Sequence, residues 1–339
     1  MTHPYKEWIN IDVDQIKPLE VTDLEKARMK QRILGTKKQK ATLPFLRNAA
    51  AAVIITGASL AAVSFAVPSL ASQIPFMQGI LSYFDKEQDH FYGQYEKYAS
   101  VIKQTQSSNG ITMMIENAVY DGTSITIAYA LETDKNVGEH PRFDQYMDIP
   151  SASGLTGSTD IKKISDTKYA GLVRVSPTLQ KDMDNIQVAW SPGSFTNDKT
   201  GEVFAGDWHF TFALPKMNSD IQLVNQSVSA KGVTLVINEI RTTDVSTIIH
   251  YKQIVDPSIL EKWNSITPTL KVKDDLGNEY HVEGNGGVSD HSENYQWSAT
   301  IRKVDEKATK LYIQPTIIFS LGEGKGHEEH KLESIEIPL

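Results

Sequence analysis

From residue 108 to the C-terminus, apolar and polar positions alternate with a period of two, the pattern of strands that bury one face. GITMMIENAVYDGTSITIAYAL (110–131) predicts two strands joined by a turn at Asp121-Gly122, a strong hairpin signal. GVTLVINEIRTTDVSTIIHYKQI (232–254) repeats the scheme. Aligned without a gap, Gly110 meets Gly232, Thr112 meets Thr234, Ile115 meets Ile237, Ser124 meets Ser246, Ile127 meets Ile249 and Tyr129 meets Tyr251. The apolar alternation stays in phase throughout, so chance is a poor explanation. Downstream, KYAGLVRVSPTLQKDMDNIQVAW (168–190) loosely parallels NYQWSATIRKVDEKATKLYIQPT (294–316). Further strands are expected in GDWHFTFALP (206–215), with Trp208, Phe210 and Phe212 on a core face, and in TLKVKDDLGNEYHV (269–282), turning at Asp275-Leu276-Gly277-Asn278. The expected fold is mainly β: two tandem antiparallel β-sandwich, immunoglobulin-like domains at 106–218 and 219–339.

Ahead of the strands the period changes. Residues 76–104 place Ile80, Phe84, Phe91, Tyr95, Tyr98 and Ile102 mostly three or four apart, which predicts a helical stalk (72–105) packed on the domain that follows. Ala49 to Val67 is nineteen residues without a charge, and Pro68 ends it. As a helix rising about 1.5 Å per residue, such a segment just spans the roughly 30 Å hydrocarbon core of a bilayer. An Ala-rich core helix and a cleavable signal, with Ser69-Leu70-Ala71 as a small-x-small site, are the rivals. The flanks favour a single transmembrane helix at 48–71. Residues 1–47 hold ten basic and six acidic side chains, and the basic excess abuts the uncharged stretch, which sets the N-terminus in the cytoplasm. Pro68, Ala71 and Pro75 mark an accessible stretch where proteolysis could act.

The basic arm (1–47) is too short for a core of its own. Thr22 and Glu25 form a capping box for a short helix, VTDLEKARMKQRIL, with Leu24 and Leu34 on one apolar stripe and Leu24, Arg28 and Leu34 as its candidate partner-binding residues. Upstream, Trp8, Ile9, Ile11, Val13 and Ile16 are interleaved with Asp12 and Asp14. Topology and anionic headgroups account for the Lys/Arg cluster, but not for these exposed apolar anchors, which point to a protein partner for residues 5–34.

Composition narrows the chemistry. The 339 residues contain no Cys, which excludes disulfides, thiolate zinc sites and a cysteine nucleophile. The net charge of −8 opposes direct nucleic-acid binding through phosphates. His327 and His330 in GHEEH are three apart, whereas a zinc-protease helix needs four, so no metal site is expected. GEGKG lacks the spacing of a phosphate loop, no Gly-x-Ser-x-Gly elbow occurs, and the carboxylate clusters fall in turns. The expectation is a protein with no catalytic residues, no cofactor and no small-molecule substrate.

The arm VTDLEKARMKQRIL, the single span, the hairpin IENAVYDGTSITIAYAL, the strand GDWHFTF and the later KVKDDLGNEY together resemble a group of Gram-positive bacterial single-pass membrane proteins with paired extracytoplasmic β-domains of unknown function. Members are described as anti-sigma factors, or negative effectors, of extracytoplasmic-function sigma factors. The resemblance implies a cell-membrane protein whose arm sequesters such a sigma factor while outer domains sense envelope conditions. The arm lacks the His/Cys zinc motif of another anti-sigma class. The alternative is a membrane-anchored extracellular binding or assembly module with no transcriptional role.

Overall fold

In the computed structural model, residues 79–85, 90–291, 294–322 and 324–339 are described, and they are mainly β. The chain enters through two short helices, α1 (Ile80–Asp85) and α2 (Tyr95–Tyr98). Nine strands follow: β1 (Ser100–Ser108), β2 (Ile111–Tyr120), β3 (Ile125–Thr133), β4 (Arg142–Asp148), β5 (Ala152–Lys163), β6 (Lys168–Leu179), β7 (Asn185–Thr196), β8 (Val203–Ala205) and β9 (Phe210–Pro215). The second half has β10 (Asp220–Ala230), β11 (Val233–Thr242), β12 (Ser246–Val255), α3 (Pro257–Leu260), β13 (Ser265–Asp274), β14 (Glu279–Tyr280), β15 (Glu283–His291), β16 (Asn294–Arg302), β17 (Lys310–Ser320), β18 (His327–Lys331) and β19 (Ile335–Pro338).

The two halves share one topology. One sheet runs β1-β2-β3-β6-β5 and its counterpart β10-β11-β12-β16-β15. The second sheet centres on β7, flanked by β4, β8 and β9, and its counterpart on β17, flanked by β13, β18 and β19, with β14 added at the edge of β13. All these pairings are antiparallel. Within each half the sheets face one another across a core, the first built on Ile115, Tyr129, Trp190, Phe195, Trp208 and Phe210, the second on Leu235, Tyr251, Leu270, Ile313 and Ile317. Trp208, Phe210 and Phe212 are buried as the alternation predicts, and the Trp208 indole N–H donates to the Ile111 carbonyl at 3.2 Å.

The repeat extends to backbone irregularities. The two-residue turns Asn109-Gly110 and Lys231-Gly232 have φ of 47° and 73°, and 53° and 76°. Two successive positive values are what a tight hairpin turn requires, and glycine takes the second position in both. Each edge strand also breaks register at the same place, between Val101 and Gln104 in β1 and between Leu223 and Gln226 in β10, with Lys103 and Asn225 at positive φ.

The predicted helix over 76–104 is corrected in part. Among the described residues of this segment helix is confined to α1 and α2, and Ser100–Ser108 is a strand paired with β2. Val101, Ile102 and Thr105 are β-branched, and the free edge of β2 offers backbone partners that a helix would leave unmet. Among the described residues no helix is long and apolar enough to cross a membrane; the uncharged stretch at 49–67 lies outside them.

Candidate functional site

The feature of the described residues that is not explained by either core is the junction where the stalk, the first half and the second half meet. It begins with the outer face of the first sheet. Met114, Ala128, Ala130, Ala170 and Leu172 point away from the main core and are nevertheless buried, because Ile80, Leu81, Phe84, Phe91, Tyr92 and Tyr95 of the stalk cover them. Ala130 lies directly opposite Ala170, and Ala128 opposite Leu172, so small side chains leave room for the stalk's rings. The matching face of the second half carries Val236, His250 and Lys252, with Gln296 and Ser298 across from the last two. That polar surface could not receive an aromatic stripe without burying charge.

Polar contacts anchor the stalk at both ends. At its start, the Glu116 carboxylate accepts the Gly79 N–H at 3.0 Å and the Ile80 N–H at 3.1 Å, which satisfies donors that the first turn of α1 leaves free. Burial holds the Glu116 carboxyl above its usual range, against the opposing pull of those two N–H groups. At its other end, Arg174 on β6 donates to the Tyr92 hydroxyl at 3.3 Å and lies over the Phe91 ring, 5.6 Å from its centroid. The same guanidinium is ion-paired with Glu283, at the start of β15 in the second half. Burial alone would raise the Glu283 carboxyl; the hydrogen bonds and charges of Arg174 and, to a lesser extent, His281 together outweigh it and hold the group below its usual range. His281 completes the cluster, with Nε2 2.8 Å from Glu283 and its ring edge-on to Phe91 at 6.3 Å.

The β2–β3 turn closes the junction from the other side. Asp121 Oδ1 accepts the N–H groups of Thr123 and Ser124 at 2.8 and 2.7 Å, and its Oδ2 receives the Ser246 hydroxyl of the second half at 3.4 Å. Thr123 Oγ1 stands 3.3 Å from His250 Nε2. The equivalent turn of the second half uses Thr243 Oγ1 for the same purpose, accepting from Val245 and Ser246. Beside Arg174 and Glu283 a cleft of about 260 Å³ opens between the halves, lined by Ser124, Thr156, Ser176 and Asn285. Three of its hydroxyls already have partners: Thr156 donates to the Asn285 carbonyl at 2.6 Å, and Ser124 meets Ser176 at 2.8 Å. A second cleft, of about 320 Å³ on the first half, mixes Lys135, Lys163 and Lys199 with Asp134, Glu139 and Asp166 and so selects no ligand charge.

Of the residues singled out in the sequence, Trp8, Ile9, Ile11, Leu24, Arg28, Leu34, Pro68, Ala71 and Pro75 lie outside the described residues. His327 and His330 sit on strand β18, where an odd spacing sends them to opposite faces. Among the described residues no group of three or more His, Asp or Glu is placed to hold a metal. Sequence reasoning passed over Glu116, Arg174 and Glu283. The available signal was a lone charge inside an apolar run, as in GLVRV around Arg174.

Residues 42–133 match a domain of unknown function (DUF4179), and residues 219–339 match a family of unknown function (DUF5643). No protein of curated function matches the chain. Among solved structures, the chain is similar to the conserved domain protein from Bacillus anthracis, with 28% identity and a TM-score of 0.66 over 74% of this chain and 94% of that one. Matches to a marsupial T cell receptor (12% identity, 68% of this chain, 98% of that one) and to the C-terminal domain of the Streptococcus agalactiae AgI/II polypeptide BspA (9% identity, 70% and 97%) have TM-scores of 0.19 and 0.15, too low to bear on the fold.

Proposed function

We propose that the chain is a single-pass membrane regulator of the anti-sigma type, with residues 5–34 holding an extracytoplasmic-function sigma factor in the cytoplasm and the β halves outside. The observation that carries this reading is the order of segments in the sequence: an arm containing Trp8, Ile9 and Ile11, a basic cluster, and an uncharged stretch of bilayer length. It is supported by the DUF4179 match, which runs from residue 42 through the uncharged stretch into the first hairpin and so treats them as one unit. A stalk packed on the first sheet suits a protein that must relay events between its β halves and that stretch. On this reading the span is 48–71, the stalk begins at 72, the two halves are immunoglobulin-like sandwiches, the first starting with β1 at residue 100 and not at 106 and running to 218 and the second covering 219–339, and proteolysis between Pro68 and Gln78 frees the arm. No reaction, metal or cofactor is assigned.

The test is capture of a sigma factor by the tagged full-length protein from detergent-solubilised membranes, alongside transcript levels in cells whose chromosomal copy lacks residues 5–34. Capture by the intact chain, its loss on deletion and derepression of a sigma-factor regulon are the expected outcomes. An intact chain that captures no sigma factor, with unchanged transcription on deletion, leaves the membrane-anchored binding or assembly module as the reading.

A further inference from the structure

We propose that the second β half acts as a latch on the stalk: Glu283, reaching across the junction, holds Arg174 in the position from which it clamps Tyr92 and Phe91 against the first sheet. The geometry is a relay of three bodies. Arg174 belongs to the first half, Tyr92 and Phe91 to the stalk, and Glu283 with His281 to the second half, and they form one continuous cluster. Arg174 is largely buried, its side chain 13% exposed, and Glu283 is 23% exposed. A guanidinium in that setting is strongly oriented by a carboxylate partner, because alternatives in water are few.

Without Glu283 the guanidinium loses its anchor and turns toward solvent, and the stalk loses both the hydrogen bond at Tyr92 and the cation over Phe91. The other end of the stalk has an independent hold, the Glu116 carboxylate on Gly79 and Ile80. The latch therefore governs the α2 end selectively. Any event that shifts the second half relative to the first, such as a ligand wedged into the cleft beside this pair, is converted into looser docking of the stalk. This inference does not depend on what the N-terminal arm binds.

Hydrogen exchange of the full-length protein in lipid nanodiscs tests it. In Glu283→Gln, amides of residues 90–98 are expected to exchange at least about tenfold faster, while those of β2, β3, β11 and β12 keep their wild-type rates. Tyr92→Phe, which removes one hydroxyl and leaves the packing, is expected to reproduce part of the effect, and Glu283→Gln added to it should contribute less than it does alone. Glu336→Gln, which breaks the exposed pair with Lys310 elsewhere in the second half, should leave residues 90–98 unchanged. The proposal is overturned if Glu283→Gln leaves residues 90–98 within twofold of wild type. It is equally overturned if exchange accelerates alike in the stalk and in both cores, since Glu283 would then be an ordinary stability residue.

Discussion

At the scale of single residues, the first core depends on a glycine that sequence patterning reads only as a break. Tyr129 lies across the strand from Gly171, and a Cβ added at Gly171 would come within 2.1 Å of the Tyr129 ring. Gly171→Ala therefore forces the fully buried ring to move, with an expected loss of about 1–3 kcal/mol or more, measured by the denaturant midpoint. Combining it with Tyr129→Ala should cost clearly less than the sum of the two changes, because the clash vanishes; additive losses would contradict the steric account. Asp274 is a second such residue. Predicted as a turn carboxylate, it is 2% exposed and accepts from Leu276 N–H, Asn278 N–H, the Asn278 amide and the Tyr280 hydroxyl. The turn was legible because Asp-Asp-Leu-Gly-Asn has local turn chemistry; its link to Tyr280 depends on where β14 comes to lie.

At the scale of elements, the stalk separates what periodicity conveys from what it does not. Three-to-four spacing correctly marked Ile80, Phe84, Phe91 and Tyr95 as a packing face. It could not mark where helix stops, because the residues from Ser100 onward are settled by pairing with β2, and such pairing overrides modest local preference. Nor could it mark the receiving surface, since Ala128, Ala130 and Ala170 read simply as strand residues. The comparison between halves gives a direct test. Ala130→Lys installs in the first sheet the residue that the second carries at Lys252, and it would bury an ammonium beneath the stalk. Exchange of residues 79–98 should rise by at least tenfold while the sandwich core persists. Retention of wild-type protection would mean that the small-residue face does not govern docking.

At the scale of the whole molecule, the two halves meet through groups whose charge responds to pH. His250 faces Thr123 of the first half, with Arg241 and Glu239 near it on its own sheet. Burial, helped by Arg241 and opposed by Glu239, lowers it from 6.5 to about 4. A folded state that binds this proton less readily than the unfolded chain loses stability as pH falls from 6.5 toward 4, and above that window the contribution is complete. The loss amounts to as much as about 3 kcal/mol by 1.36 kcal/mol per pH unit. Glu116 and Asp121, held above their usual range chiefly by burial, act in the opposite sense. Comparison with His250→Gln isolates the histidine: the variant's denaturant midpoint should fall less between pH 6.5 and 4 than the wild-type value. Parallel curves would show that His250 is not the group being titrated.

The mainly β character, the internal repeat and the turns at Asp121-Gly122 and Asp275-Leu276-Gly277-Asn278 were legible in the sequence alone. All of these rest on interactions between near neighbours: alternation across a strand, positive φ at glycine, a carboxylate capping its own turn. Which half carries the stalk, and the meeting of Arg174 with Glu283, 109 residues away, with Tyr92 on its other side, follow from the packing of the assembled fold. Periodicity reports which face of an element is buried but not what buries it. Contacts across such separations depend on how finished sheets and turns come together, and no local pattern records that.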